Sequence, residues 1–218
     1  MNRTAALLTM LLLAARAQAI SLGQIDDFQD LTTQNWTDGN PSPNPPVNVP
    51  DGGPAGAGDA FLQDVSAGGS GPGSALVMFN FTQWIGDYVA AGVGAIEADM
   101  SNLGDVPLYM RIAIEGAAGT RYGSTTAAVL PTDGEWYHLR FDLAALTLIT
   151  GEDSLEEVLS NVTTLRILSS EAGPGWMGDR IAATLGVDNI TAVAPVPLPA
   201  AAWMFLAALG ALARMRRR

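Results

Sequence analysis

Short runs of alternating apolar and polar side chains, each closed by Gly, Asp, Asn or Pro, constrain this chain most. A period of two sends successive side chains to opposite faces of a strand. Such runs fall at 60–65, 75–81, 94–101, 108–115, 124–130, 136–143, 163–168 and 184–192, with a shorter first strand at 25–31. The phase fixes what faces inward. Leu108, Met110, Ile112 and Ile114 share one face, as do Tyr137, Leu139, Phe141 and Leu143. Leu165 and Ile167 form a third set, and Ile96, Ala98 and Met100 a fourth. One short helix is expected to run to Leu159, because Ser154 and Glu157 have the spacing of a capping box. The expected fold is all-β, an antiparallel sandwich of jelly-roll type, with a concanavalin-like sandwich as the rival. Residues 37–58 and 66–74, rich in Gly with Pro or Ser, read as exposed flexible loops rather than domain linkers.

Both ends of the 218-residue chain differ from its middle. Residues 1–19 carry Arg3, an apolar stretch from Ala5 to Ala15, and the small-x-small site Ala17-Gln18-Ala19. That is the layout of a cleavable signal peptide, expected as a helix. Residues 195–218 combine a Pro-x-Pro breaker, an Ala-rich apolar run marginal for a bilayer, and Arg214, Arg216, Arg217 and Arg218. This reads as a short transmembrane-type helix with a basic cytoplasmic stop. The remaining 20–194 form one domain of a size that can bury a core.

Charge narrows the partners. The domain holds five arginines and no lysine against all 22 acidic residues, a net charge of −17. Such a surface repels nucleic acid and anionic lipid and suits divalent cations. Cysteine is absent, so no disulfide or thiolate metal site is available, and a single histidine, His138, excludes a His-cluster metal site.

The C-terminal segment, with Val196-Pro197-Leu198-Pro199-Ala200 ahead of the apolar run and the arginines, resembles the PEP-CTERM sorting signal in its VPLPA variant. The resemblance implies an exosortase-type partner, transient residence in the inner membrane, and delivery to the cell surface or extracellular matrix of a Gram-negative-type bacterium. It describes an address, not an activity. The body resembles the galactose-binding-like jelly rolls of carbohydrate-binding modules. Asp27-Phe28, the run from Gly134 to Leu143, and Gly186-Val187-Asp188-Asn189-Ile190 carry that likeness. It implies adjacent first and last strands holding a structural Ca²⁺, which assigns Asp27 and Asp188 as ligands, with Asp26 close by.

Three constellations carry chemistry. Arg111, Arg140 and Arg166 fall on outward positions with Trp136, His138 and Tyr109. Guanidinium forks and aromatic faces together suit an acidic polysaccharide. The same arginines equally form a cross-strand ladder with Glu97, Asp99, Glu115 and Asp142. Glu97 and Asp99 hold the first two places of a Glu-x-Asp-x-x-Glu strand seen in some β-sandwich glycosidases, but position 102 is Asn, so catalysis is not expected. Trp36, Trp84 and Trp176 beside turns are either sugar platforms or caps on the core edge. The expected protein is a non-catalytic surface or matrix component able to bind glycan. A surface glycan-active enzyme and a purely structural matrix component are the alternatives.

Overall fold

A computed structural model describes residues 19–39 and 41–196. The expected signal peptide, 1–19, and sorting tail, 195–218, lie outside the described residues except for Ala19, Pro195 and Val196. Among the described residues no helix is long and apolar enough to cross a membrane.

The chain forms two antiparallel sheets. The first contains β1 (Ile25–Asp26), β2 (Val47–Val49), β3 (Phe61–Ala67), β5 (Ala95–Asn102), β9 (Trp136–Asp142) and β12 (Ala182–Val193), in the order β2-β3-β12-β5-β9 with β1 also on β12. The second contains β4 (Val77–Asn80), β6 (Leu108–Gly116), β7 (Arg121–Ser124), β8 (Ala128–Leu130), β10 (Leu146–Thr150) and β11 (Val162–Ser169), in the order β10-β7-β6-β11-β4 with β8 on β6. The first and last strands lie side by side, Asp26 opposite Ile190.

The alternation sets the packing. Leu108, Met110, Ile112 and Ile114 of the second sheet meet Ile96, Met100 and Val187 of the first, and all seven are fully buried. Each such side chain contributes roughly 1.5–3 kcal/mol of burial. Helix α2 (Leu155–Leu159) starts with the expected capping box. A second short helix, α1 (Tyr88–Ala91), is begun by Asp87, whose side chain accepts from Ala90 N, and ended by Gly92 in the left-handed region at φ 73°.

Several sequence expectations are corrected. The strand at 25–31 stops at Asp26. The run at 124–130 divides into β7 and β8, and β10 follows a single 3₁₀ turn at Leu143–Ala145. Residues 37–58 are built rather than loose. They contain β2, and carboxylates pin their backbone: Gly58 N donates to Asp51 Oδ1 at 2.6 Å and Ala55 N to Asp59 Oδ2 at 2.7 Å. Side chains that bind nearby backbone hold such a turn without a regular ladder.

Asp26 secures the edge of the core. Its Oδ2 accepts the indole N–H of Trp36 at 2.8 Å, that of Trp84 at 2.6 Å, and Gln83 Nε2 at 3.1 Å. Both tryptophans are buried, so they cap the core edge. Burial raises the Asp26 pKa above the ordinary carboxylate range, and the three donors oppose that rise.

Candidate functional site

The residues expected to bind ligand do not share a surface. Trp136, His138 and Arg140 lie on β9 in the first sheet, whereas Arg111 on β6 and Arg166 on β11 belong to the second. Alternation tells which side chains leave the core, but not which sheet a strand joins. On the first sheet the charges are already paired. Arg140 binds Glu97 at 2.7 Å, Asp142 at 2.8 Å and the Ala194 carbonyl at 3.1 Å. His138 Nδ1 lies 2.8 Å from Asp99, and this hydrogen bond is the main cause that raises its pKa. The ladder reading therefore describes Arg140. Trp136 packs edge-on against Phe61 and donates to Gly52 O at 3.2 Å. Arg111 is buried, its guanidinium spent on the carbonyls of Ser170, Ser124 and Thr125 at 2.7–2.8 Å.

Asp188 is fully buried, and its carboxyl is pushed up to about 7 by burial and by the charges of Asp59, Asp99 and Asp27. Asp27 and Asp188 are thus electrostatic neighbours. Among the described residues, however, no three His, Cys, Asp or Glu side chains converge as a metal-binding group. Asp26, spent on the two indoles, is not part of such a set.

A concavity lies elsewhere, along β4 at the edge of the second sheet. Thr37 bridges to Phe79 there, with N–H···O distances of 3.1 and 2.7 Å. A cavity of about 590 Å³ opens between β4 and this segment, its lining mainly apolar: Trp36, Pro45, Pro46, Phe79 and Phe81. Phe81 is 56 % exposed, and its ring centroid lies 6.0 Å from that of Phe79. A second cavity of about 340 Å³ shares Asn35 and Thr82 with the first. Its lining is polar, with Gln24, Asp26, Asp30, Gln34 and Gln83. The two form one groove with an aromatic half and an amide- and carboxylate-lined half. Such a surface suits a ligand with apolar faces and hydroxyl edges.

The groove wall is strained into place. Phe28, Leu31, Gln34 and Asn35 all have φ between 45° and 63°, the left-handed region. Each such residue costs about 1–3 kcal/mol and persists only where its surroundings hold it. Here Asn48 Nδ2 donates to Phe28 O and Thr32 O at 2.8 and 2.9 Å, and Asn80 Nδ2 to Gln34 O at 3.0 Å.

Beyond Phe79 the outer face of the second sheet continues as a row of stacked groups. The Arg166 guanidinium lies 4.7 Å from the Phe79 centroid and 3.9 Å from that of Trp176, and Arg121 lies 4.5 Å from Trp176. Nearby, Gly123 makes room for Ile149 and the Gly175 backbone, which a Cβ there would approach to 2.9 and 3.6 Å. Trp176 packs on Val77, Ala113 and Leu168, which is why outward-facing Ala113 and Leu168 are buried.

No family model and no curated protein matches this sequence. Solved structures do. A family 11 carbohydrate-binding module from Clostridium thermocellum, in complex with a β-1,3-1,4-mixed-linked tetrasaccharide, superposes with a TM-score of 0.53 at 13 % identity, over 82 % of this chain and 100 % of that one. The chain has the jelly-roll fold of carbohydrate-binding modules. The family 11 module of the cellulosomal cellulase Lic26A-Cel5E gives 0.52 at 12 % identity, over 82 % and 98 %. An exo-β-agarase gives 0.56 at 14 % identity over 81 % of this chain, which spans a quarter of that enzyme's length.

The sequence signal for the groove was present but weaker than the arginine stripe. Phe79 and Phe81 share the outward phase of the 75–81 run, an unusual place for two aromatic rings. Pro45 and Pro46 gave no signal, because only tertiary contact brings them to β4.

Asp38, next to Thr37 in the groove wall, faces a second buried acid. Asp64 on β3 is 2 % exposed, and its carboxyl is pushed up to about 7 by burial and then by the charge of Asp38. A raised native pKa means that the folded state keeps a proton the unfolded chain has lost, so stability falls as pH rises from about 4 to about 7. In Asp64→Asn that part of the pH dependence should vanish, and thermal melting should show a variant at least as stable as the parent at pH 8. A variant less stable at pH 8, with the pH slope intact, would contradict the assignment.

Proposed function

We propose that this chain is an exported, non-catalytic protein that binds polysaccharide in the groove along β4. The observation that carries the reading is the joining of an exposed aromatic ledge, Phe79 and Phe81, to a polar recess through Asn35 and Thr82. A sugar ring has an apolar face that packs on an aromatic ring and hydroxyls that need amide and carboxylate partners. The likeness to a module solved with a β-glucan tetrasaccharide supports glycan as the ligand class. Glu97 and Asp99 are held by Arg140 and His138 rather than left open as an acid–base pair, which favours binding over hydrolysis.

Phe81→Ala should weaken binding to the polysaccharide selected on a glycan array by about tenfold or more, equivalent to ~1.4 kcal/mol. The exposed site should leave the melting midpoint unchanged. Equal affinity for variant and parent would move the ligand out of the groove.

Export and sorting rest on the sequence. The Pro-x-Pro motif at 197–199 and the terminal arginines fit an exosortase-processed tail, with release to the cell surface or matrix. Removing residues 195–218 should abolish surface display in a cell with the sorting enzyme, read by fractionation. Unaltered display would reject the sorting role.

Calcium belongs to the proposal as a structural ion near Asp27 and Asp188, with backbone oxygens completing its shell. Bound calcium stabilises the native state by mass action. The melting midpoint should then rise on adding calcium to chelator-treated protein, and an unmoved midpoint would dismiss the ion.

A further inference from the structure

The domain is strongly acidic, so any anionic polymer that binds it needs a local reversal of sign. Three of its five arginines are engaged in whole or in part, and a fourth, Arg180, is exposed and unpaired among the described residues but lies elsewhere. Arg111 is buried on carbonyls, Arg140 is saturated by Glu97 and Asp142, and Arg121 gives its Nε to Glu115. Arg180 stands apart, beside Asp179 and Glu171 in another hollow. Arg166 is set apart by its place between two rings: its Nη1 donates only to the Trp176 carbonyl at 3.0 Å and weakly to Met177 Sδ.

The Arg166 guanidinium is a cation held between two rings. Phe79 and Trp176 stack against the guanidinium, and stacking of this kind fixes orientation while leaving the N–H edge to bind. Its Nε is buried without a partner, whereas Nη2 makes no hydrogen bond among the described residues. Across Trp176, both Nη atoms of Arg121 are likewise unengaged. Glu115 pairs with Arg121 alone, so the two guanidiniums on Trp176 have one direct carboxylate partner between them, next to Phe79 of the groove lining. An uncompensated positive charge is costly beside a second one, and a bound anion relieves it.

We propose that Arg166 and Arg121 form the anion-reading end of the groove, so that the polysaccharide bound there carries carboxylate or sulfate groups. The proposal rests on the groove reading and adds the charge class of the ligand. A sugar packed on Phe81 and Phe79 extends toward Arg166, where a carboxylate or sulfate ester accepts from Nη2 of Arg166 and from the Nη atoms of Arg121. The same placement explains how a domain of high negative charge takes an acidic polymer: contact is confined to one pair of arginines, and its strength falls with salt.

The test uses the secreted protein and matched polymers. Alginate and polygalacturonate are compared with their carboxyl-reduced forms, and sulfated galactans with their desulfated forms, by affinity electrophoresis. Phe81→Ala, Arg166→Gln, Arg166→Lys and Arg121→Gln accompany the parent, with melting to check folding. At least one charged polymer should bind about tenfold more tightly than its neutral partner, and added salt should reduce the difference. A carboxylate ligand is identified by loss on reduction, a sulfate by loss on desulfation. Arg121→Gln and Arg166→Gln should each erase most of the preference for the charged polymer over its neutral partner, and Arg166→Lys should restore part of it. Neutral binding lost in Phe81→Ala but no preference within any pair would overturn the anion reading and leave the groove. Absence of binding to every polymer would overturn both.

Discussion

A single buried carboxylate organises the part of this molecule proposed to bind glycan. Asp26 stands at the end of the first strand and gathers the indoles of Trp36 and Trp84 with the amide of Gln83. Without it, two buried N–H groups would lack partners, at about 1–3 kcal/mol each. The consequence reaches past stability. Trp36 lines the apolar half of the groove, and Asp26 and Gln83 line the polar half. The contact that closes the core edge is also the one that sets the two halves side by side. The strained residues between Phe28 and Asn35 are tolerated because this anchor and the amides of Asn48 and Asn80 leave the chain no other path.

The two outer faces of the sandwich have opposite uses of charge. On the first sheet, Arg140 and His138 are consumed by Glu97, Asp99 and Asp142, so the face is a closed ladder. On the second, Trp176 settles on Val77, Ala113 and Leu168, and the arginines stack on rings instead of pairing fully with acids. Stacked arginine stays oriented but available, whereas laddered arginine does not. This contrast, more than the number of aromatic residues, singles out the second face.

The fold was legible in the sequence to the extent that it depended on local periodicity. Ile112 and Ile114 are buried because every second residue of that run is apolar, and the Ser154–Glu157 box caps a helix because its spacing is local. Sheet membership was not legible. Arg140 and Arg166 have the same outward phase, yet β9 pairs with β5 while β11 pairs with β6 and β4. Strand partners are chosen by the whole set of inner faces, which no single run encodes. For the same reason Pro45, Pro46 and Trp36 could not be read as walls of one cavity. Asp26 and Asp27 were read together as candidate cation neighbours, and the structure separates them: one is committed to indoles, the other lies near Asp188.

The central claim is that glycan is held against β4 and not against β9. The indole N–H resonances give the most direct test, because Trp36 lines the groove while Trp136 lies on the other sheet. Titrating isotope-labelled protein with the selected oligosaccharide should shift the Trp36 indole and the Phe81 and Asn35 amides, with Trp136 unmoved. Shifts centred on Trp136 and His138, with a silent Trp36, would contradict the account.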